Sequence, residues 1–84
     1  MQGPGMETEI HFDRELDARG LNCPLPILRT KKALTDMASG QVLKILATDP
    51  GSVKDFAAWC RSTGNELIEQ SVDGPVYRFV IRRK

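Results

Sequence analysis

The order in which two hydrophobic periodicities follow each other is the feature that most constrains the fold of this chain. Four short segments, in which apolar residues run together or alternate with polar ones, are typical of strands. Two longer segments between them have the spacing of amphipathic helices. The resulting order is strand, helix, strand, helix, strand, strand, and it predicts a two-layer α/β domain.

Turn residues bound the predicted strands. Asp73 and Gly74 separate the last two strands and predict a hairpin, because an Asp-Gly pair suits a tight turn between two alternating segments. In the final strand, alternation places Tyr77, Phe79 and Ile81 on one face of the sheet. The predicted strands cover 14–18, Val42–Thr48, Glu66–Val72 and Val76–Arg82.

Each predicted helix has a start signal and ends at a glycine, Gly40 or Gly64. The first helix begins at Cys23 or Pro24, because prolines are tolerated in a first helical turn. The second begins with either Asp49 or Ser52 as its N-cap. The residues predicted to face the core are Ile27, Leu28, Leu34 and Met37 in the first helix, and Val53, Phe56, Ala57 and Cys60 in the second.

Length and composition limit the chain to one small globular domain. Its 84 residues are 40% hydrophobic and 27% charged, and its apolar runs are far shorter than the ~20 residues of a membrane-spanning helix. The formal net charge of +1 argues against a protein that coats nucleic acid. We expect the domain to cover residues 14–84, after a flexible leader over 1–13 in which Met6 is an alternative start.

The number and spacing of cysteines exclude several kinds of site. The chain has two cysteines and one histidine, too few for a structural zinc site, and it has no Cys-x-x-Cys pair. It also lacks the glycine-rich nucleotide motifs, so we expect neither a metal nor an organic cofactor. Residues 1–5 do not resemble an export signal, so we expect a cytoplasmic protein with reduced thiols.

Cys23 is the candidate reactive residue. It lies between Asn22 and two prolines, Pro24 and Pro26, at the predicted start of the first helix. There the helix dipole and backbone donors such as the Leu25 N–H favour the thiolate, whereas each proline removes a donor, so we expect moderate activation. The alternative is a cysteine that only packs, but a position between a glycine turn and a proline-rich helix start favours exposure.

Three other residues have two interpretations each. Cys60 shares the apolar face of the second helix, which favours packing over a resolving role opposite Cys23. Asp49 either caps this helix or belongs to a functional site at the end of the preceding strand. Trp59 lies beside the apolar face, where it either packs at the rim of the core or contacts a partner protein.

Several stretches of the sequence resemble the TusA/SirA/YedF family. The core motif of that family, Cys-Pro-x-Pro after a Leu-Asp-x-x-Gly lead, matches the run from Leu16 to Pro26. Further similarity covers most of the chain, from residue 15 to residue 84. It is found at Thr48-Asp49-Pro50, Trp59-Cys60, Glu66-Leu67 and Tyr77 to Arg82.

The resemblance implies both a fold and a chemistry. The fold would be a two-layer sandwich, with a mixed four-stranded sheet and two helices on one face, similar to the C-terminal domain of bacterial translation initiation factor 3. Cys23 would carry sulfur as a persulfide, and the residues of the motif around it would support this role. These are Gly20, Asn22, Pro24 and Pro26.

The resemblance also implies protein partners. A cysteine desulfurase or a rhodanese-like enzyme would load the cysteine. A downstream relay protein would then receive the sulfur for tRNA thiolation, for the molybdenum cofactor or for sulfur oxidation. The candidate partner-binding residues are Arg29, Lys31, Lys32 and Asp49. The free carrier is expected to be a monomer that binds neither membrane nor, directly, nucleic acid.

A second class of function stays open on sequence grounds. The basic groups on the first helix and at Arg82–Lys84 would also suit an RNA-binding or regulatory module in which Cys23 is dispensable. A thiol peroxidase is a weaker alternative, because no resolving cysteine is evident.

Overall fold

The computed structural model describes residues 11–84. Residues 1–10 of the predicted leader lie outside this range, whereas Asp13 exchanges two hydrogen bonds of 2.8 Å with the backbone of Val42. The elements follow the predicted order: β1 (Arg14–Ala18), α1 (Leu25–Thr35), β2 (Val42–Ala47), α2 (Ser52–Thr63), β3 (Glu66–Asp73) and β4 (Val76–Arg82).

The four strands form one mixed sheet in the order β1-β2-β4-β3. β1 and β2 are parallel, with Ala18 opposite Ala47, and α1 provides the crossover that a parallel pair requires. β4 is antiparallel to both β2 and β3. The β3–β4 hairpin turns at Gly74, whose φ of 62° lies in the left-handed region that glycine accepts without strain.

Both helices cover the same face of this sheet. Phe56 of α2 stacks on Phe79 of β4 with 4.5 Å between ring centroids, and both side chains are fully buried. α1 adds Leu34 to the same core. The sheet contributes its inward residues, among them Ala18, Leu43, Ile45, Ala47 and Ile81. The predicted two-layer sandwich, with a mixed four-stranded sheet and two helices on one face, is confirmed.

The first helix is shorter than predicted at both ends. It begins at Leu25 and not at Cys23 or Pro24, because Pro24 has φ −98° and ψ 15°, outside the helical region. It ends at Thr35, where the N–H of Asp36 bonds to the helix carbonyls. Met37 therefore reaches the core from beyond the helix, with 7% of its surface exposed.

The buried face of α1 also differs from the prediction. Leu28 is 50% exposed, whereas Thr30 is fully buried. The ridge that faces the sheet follows i, i+4 spacing through Pro26, Thr30 and Leu34. The Thr30 hydroxyl donates to the Pro26 carbonyl at 2.9 Å, and this local hydrogen bond lets a polar side chain occupy the core.

The second helix begins differently from the prediction and ends as predicted. Its N-cap is Gly51 and not Asp49 or Ser52, and no side chain caps it. Ser52 is buried, and its hydroxyl donates to the Asp49 carbonyl at 2.6 Å. Gly64 ends the helix with φ 85°. Within residues 11–84, neither helix has the length and apolar character needed to cross a membrane.

Candidate functional site

The candidate site lies where the parallel strands β1 and β2 both end. Residues 19–24, here called the cysteine loop, follow β1, and residues 48–51 follow β2. Because Ala18 is opposite Ala47, the two connections lie side by side. Functional residues often gather on such loops at the carboxyl ends of parallel strands.

Two hydrogen bonds join the cysteine loop to the connection after β2. The Gly20 N–H donates to the Thr48 hydroxyl at 2.9 Å, and Gly20 adopts φ 82° to do so. The Cys23 N–H donates to Oδ2 of Asp49 at 3.2 Å. Asp49 therefore acts on the backbone of the cysteine loop, not as the helix cap that one interpretation of the sequence predicts.

An ion pair braces the start of the cysteine loop. Arg19 donates from Nε and Nη2 to the two carboxylate oxygens of Asp17 at 2.8 and 2.9 Å. These hydrogen bonds lower the pKa of Asp17 to about 2. The Asp17 carboxylate therefore stays ionised, and able to pair with Arg19, at all but strongly acidic pH.

The thiol of Cys23 is exposed, and the backbone donors next to it are already used. Its own N–H bonds to Asp49, and the Leu25 N–H donates to the Asn22 carbonyl at 2.8 Å. Pro24 has no N–H to offer. The predicted donation from the Leu25 N–H to a thiolate is therefore wrong, because this group closes a turn with Asn22.

Two carboxylates oppose ionisation of the Cys23 thiol. A hydrogen bond to Asp55, partial loss of hydration and the charges of Asp55 and Asp49 together raise the pKa of Cys23. Both carboxylates flank Gly51, where a Cβ would lie 3.5 Å from Oδ2 of Asp49 and 3.9 Å from Oδ2 of Asp55. The direction of this shift is opposite to the moderate activation that a position at a helix start predicts.

Asp55 is a residue of the site that the sequence pattern does not reveal. It lies in the first turn of α2, where an acidic residue is expected simply because it complements the helix dipole. Only the parallel pairing of β1 and β2 brings it to the thiol. Among residues 11–84, no three His, Cys, Asp or Glu side chains are placed to hold a metal ion.

The second cysteine, Cys60, lies in the hydrophobic core. Its exposed fraction is 5%, and burial raises the pKa of its thiol to about 11. A buried and protonated thiol is a poor nucleophile, which favours packing over a resolving role.

The three cations predicted to bind partners are all exposed, but they do not form one patch. Arg29 and Lys32 lie three residues apart on the outer face of α1, together with Leu25 and Leu28, which are 43% and 50% exposed. Lys31 instead lines a separate cleft between the C-terminal ends of the two helices.

Comparison with known proteins shows which family this chain resembles. The family described as sulfurtransferase TusA matches residues 14–83. The sulfur carrier protein TusA of Allochromatium vinosum is 62% identical over 72 residues, which cover 86% of this chain and 95% of that protein. The putative sulfur carrier protein YrkI of Bacillus subtilis is 48% identical over 71 residues, covering 84% of this chain and 95% of that protein.

A solved structure agrees with these sequences. The SirA-like protein of Desulfitobacterium hafniense matches with a TM-score of 0.74 and 28% identity, over 83% of this chain and 96% of that chain. The family match runs from the first residue of β1 to the residue after β4 and so includes the whole sheet, both helices and the cysteine loop. The chain therefore belongs to the sulfurtransferase TusA family.

Proposed function

We propose that this chain is a sulfur carrier in which Cys23 accepts a sulfur atom as a persulfide and passes it to an acceptor protein. The observation that supports this most strongly is the exposed thiol of Cys23 on a loop anchored to Asp49, in a chain whose relatives are named sulfur carriers. The other cysteine is buried, so only one thiol of residues 11–84 can meet a partner's sulfur.

The transfer consists of two displacements at sulfur without net oxidation. In the first, the Cys23 thiolate attacks the terminal sulfur of a donor persulfide, a new S–S bond forms at Cys23, and the donor cysteine leaves as a thiolate. In the second, an acceptor thiolate attacks that terminal sulfur, and Cys23 leaves and regains a proton. Neither step requires a metal or an organic cofactor.

Because the pKa of Cys23 is raised, a partner protein must favour formation of the thiolate before sulfur transfer. In the free carrier, Asp55, partial loss of hydration and Asp49 raise the pKa of the thiol and so lower the thiolate fraction at neutral pH. The thiolate is the nucleophile in sulfur exchange, so the free carrier reacts slowly with stray disulfides. We propose that a docked donor removes this restraint, either by accepting the proton or by placing a cation beside Asp55.

The outer face of α1 is suited to receive such a donor. Leu25 lies two residues after Cys23 and, with Leu28, forms an exposed apolar surface that is flanked by Arg29 and Lys32. Apolar contacts surrounded by charges are typical of protein interfaces. The donor would be a cysteine desulfurase or a rhodanese-like enzyme.

Sulfur loading can be tested directly by mass spectrometry. Incubation with a cysteine desulfurase and cysteine is expected to add the mass of one sulfur atom, about 32 Da, which a thiol reductant then removes. Cys23→Ser should abolish the adduct, and the matched Cys60→Ser variant should retain it. An adduct that persists in Cys23→Ser would refute the assignment.

Pathway, location and assembly are further parts of the proposal. The acceptor would be a relay protein of tRNA thiolation, of molybdenum-cofactor synthesis or of sulfur oxidation, acting in the cytoplasm where thiols stay reduced. Transfer from the loaded carrier to one of these proteins would identify the pathway, and light scattering is expected to show a monomer. Salt-dependent RNA binding unchanged by Cys23→Ser, without sulfur loading, would instead support an RNA-binding module.

A further inference from the structure

A cleft separate from the cysteine loop lies between the C-terminal ends of α1 and α2. Its volume is about 290 Å³, the size of a few side chains. Thr35 ends α1, so the cleft is ten residues along the helix from Leu25, or about 15 Å from the start of α1. The residues that line it are Lys31, Leu34, Thr35, Trp59, Thr63, Asn65, Arg83 and Lys84.

The lining of the cleft is positively charged. Lys31, Arg83 and Lys84 contribute three cations, and no Asp or Glu side chain lies among the lining residues. The ion pairs of residues 11–84 join other side chains, namely His11–Asp13, Arg19–Asp17 and Arg82–Glu66. The three cations are therefore available to an anionic group from outside.

Hydrogen bonds hold the guanidinium of Arg83 and the backbone of Lys84 in place. Nε of Arg83 donates to the Leu34 carbonyl at 2.8 Å and Nη1 donates to the Lys84 carbonyl at 3.2 Å, which leaves three of its five N–H donors unused. The backbone N–H of Lys84 donates to Oδ1 of Asn65 at 2.8 Å. The Lys84 side chain lies over Gly64, where a Cβ would come within 2.9 Å of its Cδ.

The cleft also has an apolar side. Trp59 is half-buried, and with Leu34 it adds apolar surface beside the three cations. An anionic ligand that also carries an apolar group would therefore gain from both kinds of contact, since aromatic anchors beside charged pairs are typical of strong protein contacts.

We propose that this cleft binds an acidic segment of a partner protein. Carboxylates of the segment pair with Lys31, Arg83 and Lys84, and an apolar side chain packs against Trp59. A protein segment fits better than RNA, because three cations around a cleft of this volume do not form the extended basic tract that a phosphate backbone requires. Neither the site nor its test depends on the chemistry of Cys23.

Trp59 makes the proposal measurable, because it is the only tryptophan of the chain. We would titrate the full chain with a capped hexapeptide of alternating glutamate and leucine and follow tryptophan emission. A saturable change is expected, and the double variant Lys31→Glu with Lys84→Glu should raise the Kd about tenfold or more. The matched control, Lys54→Glu with Arg61→Glu, changes the net charge equally at exposed positions outside the cleft and should keep the wild-type Kd.

Four results would overturn the proposal. The first is the absence of a saturable change at millimolar peptide. The second is equal weakening by both double variants, which would indicate general charge attraction. The third is a cleft variant that lowers the melting temperature but leaves the peptide Kd unchanged, as expected if the cations only stabilise the helix C-termini. Tighter binding of polyuridylate than of the peptide would favour RNA as the ligand and would also reject it.

Discussion

At the scale of single residues, the pKa of the Cys23 thiol depends on two side chains that follow β2 in the chain, Asp49 and Asp55. Asp49 accepts a hydrogen bond from the backbone N–H of Cys23, and Asp55 is the main cause of the raised pKa of its thiol. One carboxylate therefore positions the residue, while the other stabilises the protonated form. Removing the charge of Asp55 should separate these two effects.

Asp55→Asn is expected to lower the pKa of the Cys23 thiol. The substitution replaces the carboxylate that is the largest cause of the raised pKa by a neutral amide. Since alkylation by iodoacetamide consumes the thiolate, its rate in the Cys60→Ser background should rise only at alkaline pH. In Asp55→Asn the rise should shift to lower pH, so that alkylation at neutral pH becomes faster.

Two controls accompany this measurement. Asp49→Asn keeps an oxygen that can accept a hydrogen bond from the Cys23 N–H. It removes only the Asp49 charge, the smallest contribution to the raised pKa of Cys23, so a smaller shift in the same direction is expected. Asp36→Asn, an exposed change at the other end of α1, should have no effect. A pH–rate profile in Asp55→Asn identical to that of the parent would contradict the role assigned to Asp55.

At the scale of elements, the ends of the helices are set by backbone conformation more than by side-chain caps. Neither helix has a side-chain cap at its N-terminus, whereas α2 ends on Gly64 in the left-handed region. The C-terminal end of α2 also supports the cationic cleft, because the Lys84 side chain lies over Gly64.

Gly64→Ala is expected to reduce the free energy of unfolding by about 1–2 kcal/mol, because an alanine is strained at a positive φ. The added Cβ would also displace the Lys84 side chain. Gly51→Ala is the matched control: its φ is −74° and its Cβ would make only ordinary contacts, so a change within about 0.5 kcal/mol is expected. Urea-induced unfolding measures both, and an equal effect of the two substitutions would refute the argument.

At the scale of the whole molecule, stability depends on the contact between the sheet and α2. Phe79→Ala removes a fully buried ring that stacks on Phe56 and should cost about 3–5 kcal/mol. This is a large part of the roughly 5–15 kcal/mol available to a small domain, so the variant should be partly unfolded.

The milder Phe79→Leu keeps this prediction measurable if the alanine variant does not fold. It should lose less stability than Phe79→Ala, as followed by circular dichroism during urea unfolding. Val72→Ala, at a position 60% exposed on the hairpin, should change stability by no more than about 0.5 kcal/mol. A loss for Phe79→Leu as small as that for Val72→Ala would contradict the central role of this contact.

Much of the fold follows from local sequence patterns. The order of the elements, the hairpin at Gly74 and the end of α2 at Gly64 are predicted, because periodicity, turn residues and glycine act on the backbone nearby. The exposure of Cys23 is also predicted from its neighbours in the chain. The sequence alone therefore determines which segments form strands and helices and which cysteine is accessible.

The tertiary structure decides what surrounds those residues. The parallel pairing of β1 and β2 brings Asp49 and Asp55 to Cys23 from the next connection, and this reverses the expected shift of the thiol pKa. Packing against the sheet selects Thr30 over Leu28 for the core, because Thr30 lies on the ridge that meets the strands. Such contacts join residues far apart in the chain, so no local pattern of the sequence encodes them.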